Sequence, residues 1–84
     1  MLITFKLYAS LTEFLPVDRR NGNAMPLEVP AGATVAAVVA RFSLPMKMVH
    51  LVLIDGVYVP PEERATRPLA EGQTLAIWPP IAGG

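Results

Sequence analysis

The residues with the clearest potential for chemistry stand at the end of the printed sequence. They are Pro79, Pro80, Ile81, Ala82, Gly83 and Gly84. A glycine pair has no side chain to pack and loses the most backbone entropy when it is held still, so it adds nothing to a folded core. A carboxylate at Gly84 is an anion at neutral pH and a poor electrophile, so a partner enzyme must activate it, for example with ATP. A segment without bulk suits insertion into a narrow active site, and the pattern therefore predicts a tail that a partner activates.

Trp78 and the two prolines after it are predicted to define where the last strand ends and the tail begins. Proline has a fixed φ angle and no N–H group, so Pro79 and Pro80 are expected to end the last strand and to direct the following residues outward. Trp78 is predicted to lie on the face of that strand opposite Leu75 and Ile77. It is therefore either covered by a neighbouring loop or exposed as an anchor for a partner protein.

Composition narrows the class of protein. A chain of 84 residues suits one domain with one core, and the lack of cysteine excludes disulfides, thiolate metal sites and cysteine nucleophiles. Seven basic residues balance seven acidic ones, which argues against nucleic acid as a partner because phosphate binding needs a net basic surface. The apolar runs are far shorter than the ~18 residues that span a bilayer, and the beginning of the sequence lacks the basic region of a signal peptide. We expect a cytoplasmic protein without a membrane partner.

The polar residues contain no catalytic set. Glu62 and Glu63 are adjacent in sequence, so their side chains point apart and cannot form an acid–base pair. His50 is the only histidine, and a metal site needs several ligands. The sequence thus predicts no metal, no bound cofactor and no enzymatic activity. Hydrophobic residues make up 52% of the chain, slightly above the usual ~45–50%, which predicts surplus apolar surface for a protein partner.

The elements that must position the tail follow from hydrophobic periodicity. Alternation over residues 2–9 predicts a first strand, and Ser10 with Glu13 forms a capping-box pattern for a short helix that ends at Pro16. A second strand runs to Pro30, and Pro26 predicts that it lies at a sheet edge. Thr34 is a predicted N-cap for the main helix, whose buried stripe is Val35, Val38, Val39 and Phe42.

The second half of the chain predicts a hairpin and a last strand. Residues 49–60 show strand, Asp55-Gly56 turn and strand, and a loop with one short helical turn precedes a strand over residues 74–79. The element order predicts an α+β fold, a mixed sheet of four to five strands with one main helix across one face. It resembles the ubiquitin-like β-grasp, in which the first and last strands lie side by side at the centre. We predict a β-grasp domain over residues 1–78 and a flexible, projecting Gly-Gly tail over residues 79–84.

The closing segment LAEGQTLAIWPPIAGG resembles the MoaD/ThiS-type sulfur-carrier family. That family typically closes with L-x-x-G-D-x-V, a hydrophobic strand and PP-V/I-A/T/S-GG, and KLYASLTEF and VPAGATVAAVV also match its pattern. The matching residues are Leu69, Gly72, Leu75, Pro79, Pro80, Ile81, Gly83 and Gly84. Gln73 replaces the usual aspartate, and the link LPVDRRNGNAM is longer than usual. The diproline and the first helix favour the small subunit of molybdopterin synthase over the thiamine-pathway carrier.

The resemblance implies a carrier rather than a catalyst. An adenylating enzyme that uses ATP would bind the sheet face and activate Gly84, and a sulfur donor would convert the adenylate to a thiocarboxylate. The tail, Pro79 to Gly83, would then enter the large synthase subunit, where the sulfur attacks a pterin precursor. Three alternatives stay open: a carrier for thiamine or another metabolite, a ubiquitin-like modifier that forms isopeptide bonds through Gly84, and an interaction module whose glycines are incidental.

Overall fold

Five strands and one short α-helix form the domain, and the computed structural model describes residues 1–80. The strands are β1 (Leu2–Leu7), β2 (Ala24–Glu28), β3 (Leu51–Ile54), β4 (Val57–Tyr58) and β5 (Thr74–Trp78), and the helix is α1 (Val35–Arg41). Short 3-10 helices lie at Ala9–Phe14, Val17–Arg19, Met46–Met48 and Pro61–Glu63. No helix within residues 1–80 is long and apolar enough to cross a membrane.

The strands form one mixed sheet in the order β2-β1-β5-β3-β4. β1 and β5 are parallel neighbours at the centre, with Phe5 opposite Leu75, and the other pairs are antiparallel. The predicted mixed sheet and its central pair are therefore confirmed. β2 lies at an edge of the sheet, as Pro26 predicted. Proline has no N–H group to donate to a neighbouring strand, so within sheets it occurs mainly in edge strands.

The core lies between α1 and one face of the sheet. The inward residues of β1 and β5 alternate with outward ones, so Phe5 and Leu75 are fully buried while Thr4 and Thr74 are only half-buried. The ring of Phe5 packs against that of Phe42 at the end of α1, with 4.8 Å between centroids. The largest fully buried side chains are Phe5, Ile3, Leu7, Leu11, Leu15, Ile54, Leu75, Ile77, Val35, Val38, Val52 and Val59.

Local hydrogen bonds define both ends of α1. The Thr34 hydroxyl accepts a hydrogen bond from the Ala37 N–H group at 3.3 Å, which confirms the predicted N-cap. At the other end Ser43 adopts a left-handed conformation with φ of 55°, and its N–H group donates to the Ala40 carbonyl. The Leu44 N–H group donates to the Val39 carbonyl, which completes a Schellman motif. The helix therefore ends before Pro45.

The predicted capping box at Ser10 is wrong. The Tyr8 N–H group still donates to the Ile77 carbonyl at 3.2 Å, as part of the β1–β5 ladder. The chain then turns at Ala9, which has a φ of 53°, and the 3-10 helix already includes this residue. Ser10 is thus inside the helix, where it cannot act as the N-cap, and the residue that does precede the helix, Tyr8, makes no side-chain cap bond.

Candidate functional site

β5 ends at Trp78, directly before the two prolines. Pro79 is buried and Pro80 is exposed, so the chain reaches the surface between them. The predicted insertion and attachment residues Ile81, Ala82, Gly83 and Gly84 lie outside the described residues. The structure describes the residues directly before them, up to Pro80.

The ring of Tyr8 stacks on that of Trp78. Their centroids are 3.9 Å apart and their planes differ by 7°, and both rings are half-buried. Leu7 of β1 pairs with Ile77 of β5, which places the residues that follow them, Tyr8 and Trp78, side by side. The stack therefore joins two residues that are 70 positions apart in the sequence. Trp78 is thus neither hidden in the core nor fully exposed, because an aromatic neighbour covers part of it.

The sheet face opposite α1 carries an apolar surface, here called the open face. It consists of Tyr8, Leu51, Leu53, Tyr58, Ala76 and Trp78, which by strand alternation and register point away from the core. Leu51 and Leu53 are half-buried and Tyr58 is 50% exposed. This face holds part of the apolar surface that composition indicated.

Hydrogen bonds fix the position of the last strand on its other side. The His50 N–H group donates to the Trp78 carbonyl at 3.1 Å. The guanidinium of Arg64 donates to the carbonyls of His50 at 3.0 Å, Val49 at 3.2 Å and Val59 at 3.2 Å. Arg64 therefore joins the entry to β3 with the end of β4, next to the base of the tail. The sequence does not indicate this role, since an arginine in a loop belongs to no local pattern.

The sequence profile of the ThiS family matches residues 6–84, which is most of the chain. The chain belongs to the ThiS family. No sequence among curated proteins matches it closely enough to be counted as a relative.

Solved structures with the same fold show what this ThiS family chain is similar to. Small archaeal modifier protein 1 of Haloferax volcanii is 19% identical with a TM-score of 0.68, over 95% of this chain and 98% of that one. A protein described as molybdopterin converting factor subunit 1, from Pyrococcus furiosus, is 15% identical with a TM-score of 0.69, over 96% and 99%. A complex of subunits 1 and 2 of the molybdopterin-converting factor from Helicobacter pylori contains a chain that is 12% identical with a TM-score of 0.61, over all of both chains. These likenesses confirm the ubiquitin-like β-grasp fold.

The side chains at the two ends of the strands differ in charge in this ThiS family chain. The end of the sheet at which β5 ends carries exposed Arg19, Arg20 and Lys47 together with the acidic residues Glu13 and Asp18. The end of the sheet at which β5 begins carries Glu28, Asp55 and Glu71 together with the Met1 ammonium group and Arg41, both of which contact Glu28. The base of the tail therefore lies at the more basic end of the sheet.

The acidic residues and the histidine of this ThiS family chain were also considered as a possible metal or acid–base site. Within residues 1–80 no group of three or more histidine, aspartate or glutamate side chains is placed to hold a metal ion. Glu62 and Glu63 are both exposed, and Glu63 forms an ion pair with Arg67 at 3.9 Å. The geometry can position and present the chain that follows Pro80, and the open face can bind a partner.

Proposed function

We propose that this ThiS family chain is a cytoplasmic sulfur carrier whose Gly84 carboxylate is converted to a thiocarboxylate. The observation that supports this most is the family match, which runs through the tail as far as Gly84. The fold supports it too, because β5 stops at Trp78 and the surface is reached at Pro80. The inserting segment was predicted to begin at Pro79; because Pro79 is buried, we propose that Pro80 to Gly84 enter the active sites of partners and that Pro79 is the base of the tail.

Two steps carry the sulfur onto the tail. A carboxylate oxygen of Gly84 attacks the α-phosphorus of ATP in an adenylating enzyme, which gives an acyl-adenylate and pyrophosphate. A sulfur donor at the oxidation level of sulfide then attacks the carbonyl carbon, and AMP leaves. The product is an anionic thiocarboxylate, which is more nucleophilic than a carboxylate because sulfur is the softer atom.

The proposed acceptor is a pterin precursor in molybdopterin synthesis, held by a large synthase subunit. The tail sulfur attacks an electrophilic carbon of the precursor and an oxygen group leaves that carbon, which joins tail and product as a thioester. Water then cleaves the bond between the acyl carbon and the sulfur, so the sulfur stays on the product and the tail returns as a carboxylate. The diproline pattern supports this acceptor, and so does the fold shared with the small subunits of molybdopterin-converting factors. In the Helicobacter pylori structure the two subunits form a protein–protein complex.

A second candidate function is that of a ubiquitin-like modifier. The fold is shared with a protein named as a small archaeal modifier, and both functions begin with an activated C-terminal carboxylate. They differ in the nucleophile that attacks next, which is sulfur for a carrier and a lysine amine for a modifier. The mass of the product therefore separates them.

The test is the intact mass of the protein after incubation with ATP, an adenylating enzyme and sulfide. We expect one oxygen to be replaced by sulfur, and we expect no change in a variant that lacks Gly84. Conjugates of higher mass that form on added protein substrates would favour the modifier. An unchanged mass, in a reaction where a known carrier is converted, would contradict the proposal.

The open face is the proposed docking surface for the adenylating enzyme, with Trp78 as its anchor. We expect Trp78→Ala to weaken binding of that enzyme by about 30-fold or more, because aromatic anchors at interface centres contribute about 2 kcal/mol or more. Isothermal titration calorimetry with the unmodified carrier measures this directly. Trp78→Phe retains a ring against Tyr8 and should lose much less affinity.

Val57→Ala is the matched control for Trp78→Ala. Val57 is 59% exposed on β4 but lies outside the open face. It should bind the enzyme as the unaltered protein does. Equal affinity for Trp78→Ala and Val57→Ala, with both proteins folded, would show that the open face is not the docking surface.

A further inference from the structure

A second apolar surface lies on the side of the domain opposite the open face. It is a groove of about 270 Å³ between α1 and the segment that leads to β3. The residues that line it are Val35, Ala36, Val39, Ala40, Ser43, Leu44, Met46, Val49 and Arg64. Met46 is 78% exposed at its rim. The sheet and core separate this groove from the open face, so both surfaces can be occupied at the same time.

Arg64 supplies the only charged group in the lining of the groove. A guanidinium has five N–H groups, and three of them are used by the carbonyls of Val49, His50 and Val59. Those acceptors are neutral, and no carboxylate within residues 1–80 lies at ion-pair distance from Arg64. Arg64 is half-buried, and its guanidinium lies beside the apolar side chains that line the groove. Lys47, next to Met46, adds a second cation near the rim.

The size of the groove indicates what it can hold. Small-molecule sites usually enclose about 300–1,000 Å³ with several polar groups placed to orient the ligand. This groove is slightly smaller and open to solvent, and its lining carries one charged side chain. One apolar side chain and one adjacent carboxylate match its volume and its charge.

We propose that this groove is a docking site for a segment of a partner protein that presents an apolar side chain beside a carboxylate. The apolar side chain packs between Val39 and Val49, and the carboxylate accepts hydrogen bonds from the remaining N–H groups of Arg64. This segment can bind while the open face is occupied, and it binds close to the entry to β3 because Arg64 also holds His50, whose N–H group pairs with Trp78. This inference does not depend on the chemistry of the tail.

The test uses a matched pair of small probes. N-acetyl-leucine carries a leucine side chain and a carboxylate, and N-acetyl-leucinamide has the same side chain with a neutral amide. We expect N-acetyl-leucine to shift the backbone amide signals of Ala36, Val39, Ser43 and Arg64 in NMR titrations. It should bind about 10-fold more tightly than the amide, because hydrogen bonds to charged groups contribute about 1.5–3 kcal/mol. The difference should diminish at high salt.

Two variants on the same helix serve as test and control. Ala40 is exposed and lines the groove, so Ala40→Phe fills it without altering the core and should abolish the shifts. Ala37 is also exposed but does not line the groove, so Ala37→Phe should leave the shifts unchanged. The thermal midpoint of each variant shows that it is folded.

Several results would overturn the proposal. Equal affinities for the acid and the amide would remove the role of Arg64, and shifts that persist in Ala40→Phe would place the probes elsewhere. An absence of shifts at millimolar probe would show that the groove does not bind this chemistry. Shifts at the groove that depend on protein concentration alone would identify a second copy of this chain as the occupant. None of these readouts involves sulfur transfer, so the groove and the proposed function can fail separately.

Discussion

Gly83→Val is expected to reduce conversion of the tail to the thiocarboxylate by about 100-fold or more. The variant keeps the carboxylate of Gly84, so the reacting group is unchanged, but it adds a branched side chain one residue before it. A reacting atom that is displaced by about 1 Å in an active site can lose about 100-fold in rate. The measurement is the initial rate of the mass change with ATP, adenylating enzyme and sulfide.

Gly22→Val is the control for this substitution. Gly22 is exposed in the loop before β2, and a side chain there would meet no atom within 4 Å. It should react at the rate of the unaltered protein. If Gly83→Val reacted equally fast, the glycines would have no role in tail insertion, and the reading of the tail as an incidental segment would gain support.

Phe5→Ala is expected to lower the free energy of unfolding by about 3–5 kcal/mol, the range for phenylalanine removed from a packed core. Phe5 is fully buried at the centre of the sheet, and its ring contacts Phe42 at the end of α1. The substitution therefore leaves a cavity and removes an aromatic pair. Because whole domains are stable by only about 5–15 kcal/mol, this one change removes a large share of the total.

Urea unfolding followed by fluorescence measures this loss, since Trp78 is the only tryptophan. The midpoint should fall while the slope with urea stays the same. Phe5→Leu, which removes less volume, should have a smaller effect, and Thr4→Ala on the other face of β1 should change the midpoint little. A small effect of Phe5→Ala would mean that the core relaxes around the missing ring.

Local pattern was sufficient for most of the fold. Alternation in β1 and β5 indicated which side chains enter the core, and Thr34 marked the beginning of α1 at the residue where the structure has its N-cap. These predictions succeed because each depends on side chains within one turn or one strand. The capping box at Ser10 failed because Tyr8 is held by a ladder bond to Ile77, which local sequence cannot show.

The candidate site was likewise predicted only in part from the sequence. Residue type and order indicated an activated tail that ends in Gly83 and Gly84, and the family resemblance implied its thiocarboxylate. Trp78 was predicted to be an outward residue of the last strand. The stack of Tyr8 on Trp78 could not be predicted, because it depends on the register between β1 and β5.

The sequence by itself determined the class of the protein. Periodicity and the glycine tail are properties of neighbouring residues, and the lack of cysteine is a property of the composition. Only the tertiary structure decided where Arg64 acts, how Trp78 is covered and that a groove lies beside α1. Each of these depends on residues far apart in sequence that meet through strand register and helix packing. Such contacts form only when the whole domain folds, so no segment read alone contains them.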